Sequence, residues 1–219
     1  MKKVALIVGG GSGTRMGTDI PKQFLLLNGV PVIVHTIRKF EKVADEVYLV
    51  LPESQFGVWE EMRKEFKVTS VLKVFAGGSS RTASVWNGLK EIEGKGVVAI
   101  HDAVRPLVSI DCIRRIFDTA VDKGNAIPVV PVKESMRRVQ GELNEAVDRV
   151  NYRIVQTPQC FDIELIKKSY LDAGTNQYTD DASVAEHAGY VMHLVEGEEA
   201  NIKITYPGDL LFAETLLKA

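Results

Sequence analysis

The stretch GGGSGTRMG, residues 9–17, lies directly behind the aliphatic run Val4–Val8 and is followed by Lys22. Glycine-rich backbone after a buried run lets amide N–H groups point into a concavity that suits anionic oxygens. Arg15 and Lys22 add two fixed positive charges to the same loop. Three familiar loop patterns fail here. The dinucleotide pattern G-x-G-x-x-G needs glycine where Thr14 or Met16 stands. The Walker pattern lacks its lysine, and the serine-hydrolase elbow G-x-S-x-G is broken at Thr14. What remains is a phosphate loop with its own cations, which an ordinary strand-to-helix turn does not need. Two further polar segments, AGGSSR (76–81) and HDAVRP (101–106), offer glycines, hydroxyls, a carboxylate and two more arginines.

Other reactive side chains carry plainer readings. His101 and Asp102 are neighbours on an expected strand, so their side chains point to opposite faces and His101 is read as structural. His35, His187 and His193 are scattered, and Cys112 and Cys160 fit no ligand spacing, so no metal site built from protein side chains is expected. Asp180 and Asp181 are read as the N-cap and first-turn acid of a helix, and Arg137 and Arg138 as solvated charge.

The elements that must position these loops follow from periodicity. Short β-branched runs predict strands at Val4–Val8, Glu46–Leu51, Val71–Phe75, Gly96–His101 and Ala126–Val132. Between them, helical spacing predicts helices over Pro31–Phe40, Phe56–Phe66, Arg81–Ile92 and Ile110–Lys123, the last capped by Ser109 and closed at Gly124. Further on, helices are expected at Asp162–Ala173, Asp180–Ala188 and after Pro207, with Asp209 in its first turn, and strands near Val191–Val195 and Asn201–Thr205. The alternation predicts an α/β fold: a Rossmann-like, mostly parallel sheet with helices on both faces. Ligands of such sheets bind beyond the carboxyl ends of the strands, where all three polar loops fall.

With 219 residues, 45% hydrophobic and 26% charged, the chain can fill the core of one large soluble domain. Its net charge of −2 argues against a nucleic-acid partner. The apolar run near the start is too short for a signal core or a membrane span, and two cysteines suit a reducing compartment, so a cytoplasmic location is expected. Regularity breaks at residues 133–157, KESMRRVQGELNEAVDRVNYRIVQT, where QG at 140–141 signals a hairpin turn. So polar a hairpin either leaves the body of the domain to pack on something else or is a surface excursion. The expected organisation is one domain over residues 1–219 with this arm.

Seven segments in order resemble one family: GGGSGTRMG with PKQFLLLNGVPVIVHT, GGSSRTASVWNGL, IHDAVRP, VDRVNYRIVQTPQCF, TDDAS, LVEGEEANIKIT and PGDLLFAE. The opening is similar to sugar-phosphate nucleotidyltransferases, and the whole set resembles the 2-C-methyl-D-erythritol 4-phosphate cytidylyltransferases. The resemblance implies that CTP and methylerythritol phosphate give CDP-methylerythritol and pyrophosphate, with magnesium held mainly by triphosphate oxygens. It also implies a homodimer in which the arm embraces the second subunit.

By the same resemblance, Arg15 and Lys22 stabilise the pentacoordinate phosphorus, and Gly9, Gly10, Gly11 and Gly13 wrap the triphosphate. Gly78, Ser79 and Ser84 match the cytosine-reading segment, Asp102 and Ala103 the ribose side, and Asp102 with Arg105 the acceptor side. Lys203 matches the lysine that positions the sugar phosphate, and Thr157 a threonine near the acceptor. Ser135 and Arg149 match arm residues that reach the acceptor bound to the partner subunit. The sequence departs from the family's usual residues in three places: Val8-Gly9-Gly10-Gly11 stands for Pro-Ala-Ala-Gly, Ser79 for aspartate, and Glu134-Ser135 for Asp-Thr.

Ribitol-phosphate cytidylyltransferases share the expected fold and the glycine loop, and the segment AVDRVNYRIVQTPQ with Arg149 favours the methylerythritol compound as acceptor. A nicotinamide-dependent oxidoreductase would share the sheet but fails the fingerprint. A non-catalytic nucleotide sensor would not need both Arg15 and Lys22.

Overall fold

Alternation along the central strands decides the layering. The computed structural model describes residues 1–10, 16–17, 20–174, 176 and 178–218. Strand β1 (Lys2–Val8) pairs in parallel with β4 (Glu46–Leu51) and β6 (Gly96–Asp102), and β5 (Val71–Ala76) continues the parallel set beyond β4. Ala5 and Ile7 of β1, with Val97 and Ala99 of β6, face one core. Val4, Leu6 and Val8, with Val98 and Ile100, face the other. Every residue of β6 is buried, as a strand covered on both faces requires.

Helices α1 (Val32–Phe40), α2 (Phe56–Glu65) and α4 (Ile110–Lys123) supply the first core through Ile33, Ile37, Phe40, Trp59, Ile113 and Phe117. Helices α3 (Arg81–Leu89), α5 (Ile163–Ala173) and α6 (Asp181–His187) supply the second through Val85, Leu89, Ile166 and Val184. Each fully buried side chain of this size is worth about 1.5–3 kcal/mol of transfer free energy. A smaller cluster around Leu27, Val32, Val104 and Ile204 sits against the last helix, α7 (Pro207–Lys218), through Ala213. The expected caps of α4 are present: Ser109 Oγ accepts from the Cys112 N–H at 3.0 Å, and Gly124 takes φ +84°. Asp209 reaches back to accept from the N–H groups of Thr205 and Tyr206, both at 2.8 Å.

The second half departs from strict alternation. Strand β7 (Asn125–Pro131) does not pair with β6, because β11 (Gln159–Asp162) runs antiparallel between them. Gln159-Cys160-Phe161-Asp162 carries no period of its own from which a strand could be read. The full order is β10-β7-β11-β6-β1-β4-β5, with β12 (Leu194–Glu196) also parallel to β7 and β10 (Arg153–Val155) antiparallel to it.

The expected hairpin forms from β8 (Met136–Gln140) and β9 (Leu143–Val147), a separate two-stranded sheet. Gly141, at φ +60°, opens the two-residue turn, the position at which a II′ turn needs a positive φ. Arg137 bonds the Asn144 side chain and Arg138 pairs with Glu145 at 2.9 Å, so both expected solvated charges serve the facing strand. The excursion ends earlier than residue 157, since β10 has already rejoined the sheet and Gln156 and Thr157 are buried.

Two other expectations are corrected. Helix α3 stops at Leu89, short of Ile92. Residues 201–205 form no strand: the Ile204 N–H bonds the Val104 carbonyl, outside any strand, and the side chains of Arg105 and Asp209 take up the Asn201 carbonyl and the Thr205 N–H.

Candidate active site

The carboxyl ends of β1, β5 and β6 open into one cavity of about 380 Å³, lined by Gly9, Gly10, Lys22, Gln23, Gly78, Ser79, Arg81, Ser84, Asp102 and Lys203 among others. Its floor is tied down strand by strand. The Gly9 N–H donates to the Val50 carbonyl at 2.8 Å, and the Gly9 carbonyl accepts from Gln23 Nε2 at 2.9 Å. Lys22 sits buried in the short 3-10 turn Lys22–Phe24, at the cavity wall. Gly11, Gly13 and Arg15 lie outside the described residues.

On the opposite side, Ser84 Oγ accepts from the Gly78 N–H at 2.9 Å and donates to the Ser80 carbonyl at 2.8 Å. The hydroxyl therefore shapes the loop from within. Gly78 itself packs so closely that a Cβ there would lie 2.6 Å from the Ala83 Cβ. Ala103 is fully buried, with its N–H on the Val8 carbonyl and its own carbonyl accepting from Thr36, so it backs the cavity rather than lining it.

Asp102, at the end of β6, is the acidic residue of this lining, and three cations converge on it. Lys203 Nζ lies 2.8 Å from Oδ2, Arg105 Nε 3.6 Å from Oδ2, and Arg81 Nε 3.8 Å from Oδ1. Burial pushes the Asp102 carboxyl up, but Lys203, Arg81 and Arg105 together outweigh it and hold the group well below the usual carboxylate range. A second cavity of about 390 Å³ opens on the other side of this cluster, lined by Arg105, Thr157, Gln159 and Asp180. Arg81, Asp102 and Lys203 line both cavities, so a charged wall joins two compartments.

Behind that wall His101 is fully buried against Phe40. A carbonyl can only accept, so Nε2–H donates to the Arg105 carbonyl at 3.1 Å, which leaves Nδ1 to accept from Thr157 Oγ1 at 3.1 Å. Thr157 Oγ1 in turn accepts from the Asp102 N–H at 3.1 Å. Burial holds the imidazole down to about 4, so His101 is neutral near pH 7 and has no free nitrogen for acid–base work.

Lys203 stands on an irregular segment that side chains hold in place. Gln156 Nε2 donates to the Glu198 carbonyl at 2.7 Å, Asn201 Nδ2 to the Thr157 carbonyl at 2.8 Å, and Arg105 to the Asn201 carbonyl at 2.7 Å. Ser135, in the loop just before β8, and Arg149, at the head of the 3-10 turn Arg149–Asn151 after β9, are exposed and lie outside both compartments of their own chain. The Arg149 guanidinium donates to the Lys133 carbonyl at the base of the arm.

Sequence reasoning missed Gln23, Arg81, Gln156, Gln159, Asp181 and Asn201. Arg81 and Asp181 were visible inside the quoted segments GGSSR and TDDAS, but nothing local signals that they meet. Asp180 does cap α6, accepting from the Ser183 N–H at 3.1 Å, and Asp181 stands in the first turn as expected. Asp181 is nevertheless fully buried and bonded to Arg81.

The arrangement offers fixed cations around two adjoining spaces and, among the described residues, no poised nucleophile. The family model for 2-C-methyl-D-erythritol 4-phosphate cytidylyltransferase matches residues 3–219. The chain belongs to this family. A relative of that name from Bacteroides thetaiotaomicron is 43% identical over 219 residues, covering 99% of this chain and all of its own. One from Bacillus velezensis is 39% identical, covering all of this chain and 97% of its own. Among solved structures, the 2-C-methyl-D-erythritol 4-phosphate cytidylyltransferase of Thermus thermophilus superposes with a TM-score of 0.80 at 30% identity, over 98% of each chain. The 4-diphosphocytidyl-2C-methyl-D-erythritol synthase of Anaerococcus prevotii superposes with a TM-score of 0.86 at 25% identity, over all of this chain and 99% of its own. The cytidylyltransferase family thus accounts for nearly the whole length, including the hairpin.

Proposed function

We propose that this chain transfers the cytidylyl group of CTP to 2-C-methyl-D-erythritol 4-phosphate in the non-mevalonate route to isoprenoid precursors. An oxygen of the acceptor phosphate attacks the α-phosphorus of CTP in line. The new P–O bond forms as the bond to the bridging oxygen of the β-phosphate breaks, and pyrophosphate leaves. The acceptor carries roughly 1.5 to 2 negative charges at neutral pH, so no protein base has to create the nucleophile. The protein's task is to bring two polyanions together and to balance charge that grows on the phosphoryl oxygens. The observation that carries this reading is the pair of cavities sharing a wall of Asp102, Arg81 and Lys203.

In this reading the first cavity takes CTP. Gly9, Gly10, Gly11 and Gly13 wrap the triphosphate, Gly78, Ser79 and Ser84 form the base-reading loop, and Ala103 supports the ribose side. Lys22 with Arg15 faces the reacting phosphorus. The second cavity takes the acceptor, with Asp102, Arg105, Thr157 and Lys203 around it. Ser135 and Arg149 reach the acceptor site of a second subunit, so the enzyme works as a homodimer through its arm. Exposed Val139 and Leu143 on the hairpin, and Val150 beyond it, support a buried role for that surface in a dimer. The whole chain forms one nucleotidyltransferase domain with the hairpin as its arm.

Magnesium in this reading is held mainly by triphosphate oxygens, with few protein ligands. Among the described residues no group of three or more His, Cys, Asp or Glu could hold a metal, and Asp102 is already paired with Lys203. Such an ion, when bound, neutralises triphosphate charge. No described helix is long and apolar enough to cross a membrane, and we place the enzyme in the cytoplasm.

A pyrophosphate-release assay with CTP and magnesium tests the reading, with methylerythritol phosphate and ribitol 5-phosphate compared as acceptors. Turnover with the first is expected; turnover only with the second would overturn the acceptor assignment.

A further inference from the structure

Arg81 opens α3 and spends both terminal nitrogens on Asp181, at 2.9 and 2.7 Å. Asp181 Oδ1 accepts a further bond from Tyr170 Oη at 2.6 Å, and the Asp181 N–H donates to Gln159 Oε1 at 3.0 Å. Tyr170 is itself stacked on Trp86, with ring planes 8° apart. A planar guanidinium held by two bonds to a buried, fully engaged carboxylate cannot swing freely. Its remaining edge, Nε, therefore stays 3.8 Å from Asp102 Oδ1, attracting that oxygen without closing into a hydrogen bond. The other oxygen of Asp102 is left to Lys203 at 2.8 Å.

We propose that Arg81, clamped by Asp181 and Tyr170, is a positioning residue for the acceptor half of the reaction. Its hold on Oδ1 of Asp102 aims Oδ2 at Lys203, and so places the lysine ammonium on the wall between the two compartments. Asp181 acts as the restraint. The cluster holds three cations, Arg81, Arg105 and Lys203, against the carboxylates Asp102 and Asp181. When Asp181 loses its charge, the carboxylate left beside Arg81 is Asp102. The guanidinium then closes on that carboxylate and competes with Lys203 for it. Arg81, Asp102 and Lys203 also border the CTP side, but its floor at Gly9 and Gly78 is bonded to Val50 and Ser84 and not to this cluster, so the effect falls mainly on the acceptor.

The inference rests on the functional reading above, and its test distinguishes the two. Steady-state pyrophosphate release is measured for the wild type and for Asp181→Asn, varying methylerythritol phosphate at saturating CTP and then the reverse. A displaced lysine is expected to raise the acceptor KM and lower kcat by on the order of tenfold to a hundredfold together. The KM for CTP is expected to stay within about twofold, since uniform binding of CTP is unchanged. In an Asp102→Asn background the Asp181→Asn change should cost little more, because both act through one carboxylate. Circular dichroism reports whether Asp181→Asn folds. If it does not, Tyr170→Phe decides, since it keeps the ring stacked and removes one bond to Asp181; a smaller rise confined to the acceptor KM is expected. Equal rises in both KM values, or full additivity with Asp102→Asn, would overturn the positioning role. Absence of turnover in the wild type would instead overturn the functional reading.

Discussion

Acidification should destabilise the protein through one buried ring. His101 is fully buried, and its two nitrogens are committed to the Arg105 carbonyl and the Thr157 hydroxyl. Burial holds its pKa down to about 4, against 6.5 for an unburied imidazole. In the unfolded chain the ring takes a proton as pH falls through about 6.5, while the folded protein refuses it until about pH 4. Unfolding therefore takes up a proton across that window, so stability is level above it and declines as pH drops within it. A displacement of this size corresponds to about 3 kcal/mol, most of it already lost near pH 4.5. His35, also lowered by burial, adds to the decline in the same direction. Urea unfolding of the wild type and His101→Gln between about pH 7 and pH 4.5 measures the effect. The variant should be less stable near neutrality by about 1–3 kcal/mol, for its imperfectly replaced hydrogen bonds. The two curves should then converge on acidification as the wild type loses its extra share. Curves that stay parallel across the window would show that the His101 ring takes its proton in the folded protein at the same pH as in the unfolded chain. Asp102, held far below the usual carboxylate range by its cations, adds its own loss only as pH falls below about 4, where the unfolded carboxyl takes up its proton, and so contributes little to the slope in this window.

Three further outcomes are expected. Lys22→Ala should lower kcat by on the order of a hundredfold to a thousandfold while CTP affinity in equilibrium titration changes far less, because a fixed charge at the reacting phosphorus acts in the transition state. Mixing inactive Arg149→Ala with inactive Lys203→Ala should restore about a quarter of wild-type activity if each site borrows the partner's arm, since half of random dimers carry one intact site; no recovery after subunit exchange would count against the shared site. Gly78→Ala places a Cβ 2.6 Å from the Ala83 Cβ and 3.0 Å from its carbonyl carbon, so a stability loss of about 1–3 kcal/mol and a raised KM for CTP should appear together.

Sequence alone determined the parallel half of the sheet, because β1, β4 and β6 are short, largely buried apolar runs, and β5 at the edge keeps enough apolar residues for local signals to suffice. It determined α4 to the residue, since Ser109 and Gly124 carry the chemistry of a helix start and stop. It also singled out Gly9, Gly10 and Lys22, which the fold brings to one cavity. The tertiary structure decided the rest. Strand β11 inserts antiparallel between β6 and β7, a choice made by neighbouring edges rather than by any period in its four residues. Residues 201–205 look like a strand, yet Gln156, Asn201 and Arg105 hold this segment through side-chain hydrogen bonds that local alternation cannot encode. Arg81 and Asp181 lie 100 positions apart, and each reads locally as an ordinary first-turn residue of its helix. Local sequence fixes backbone preference over a few residues, whereas the pairing of charges depends on which ends of which strands the fold brings together. At this cleft, that pairing decides where Lys203 stands.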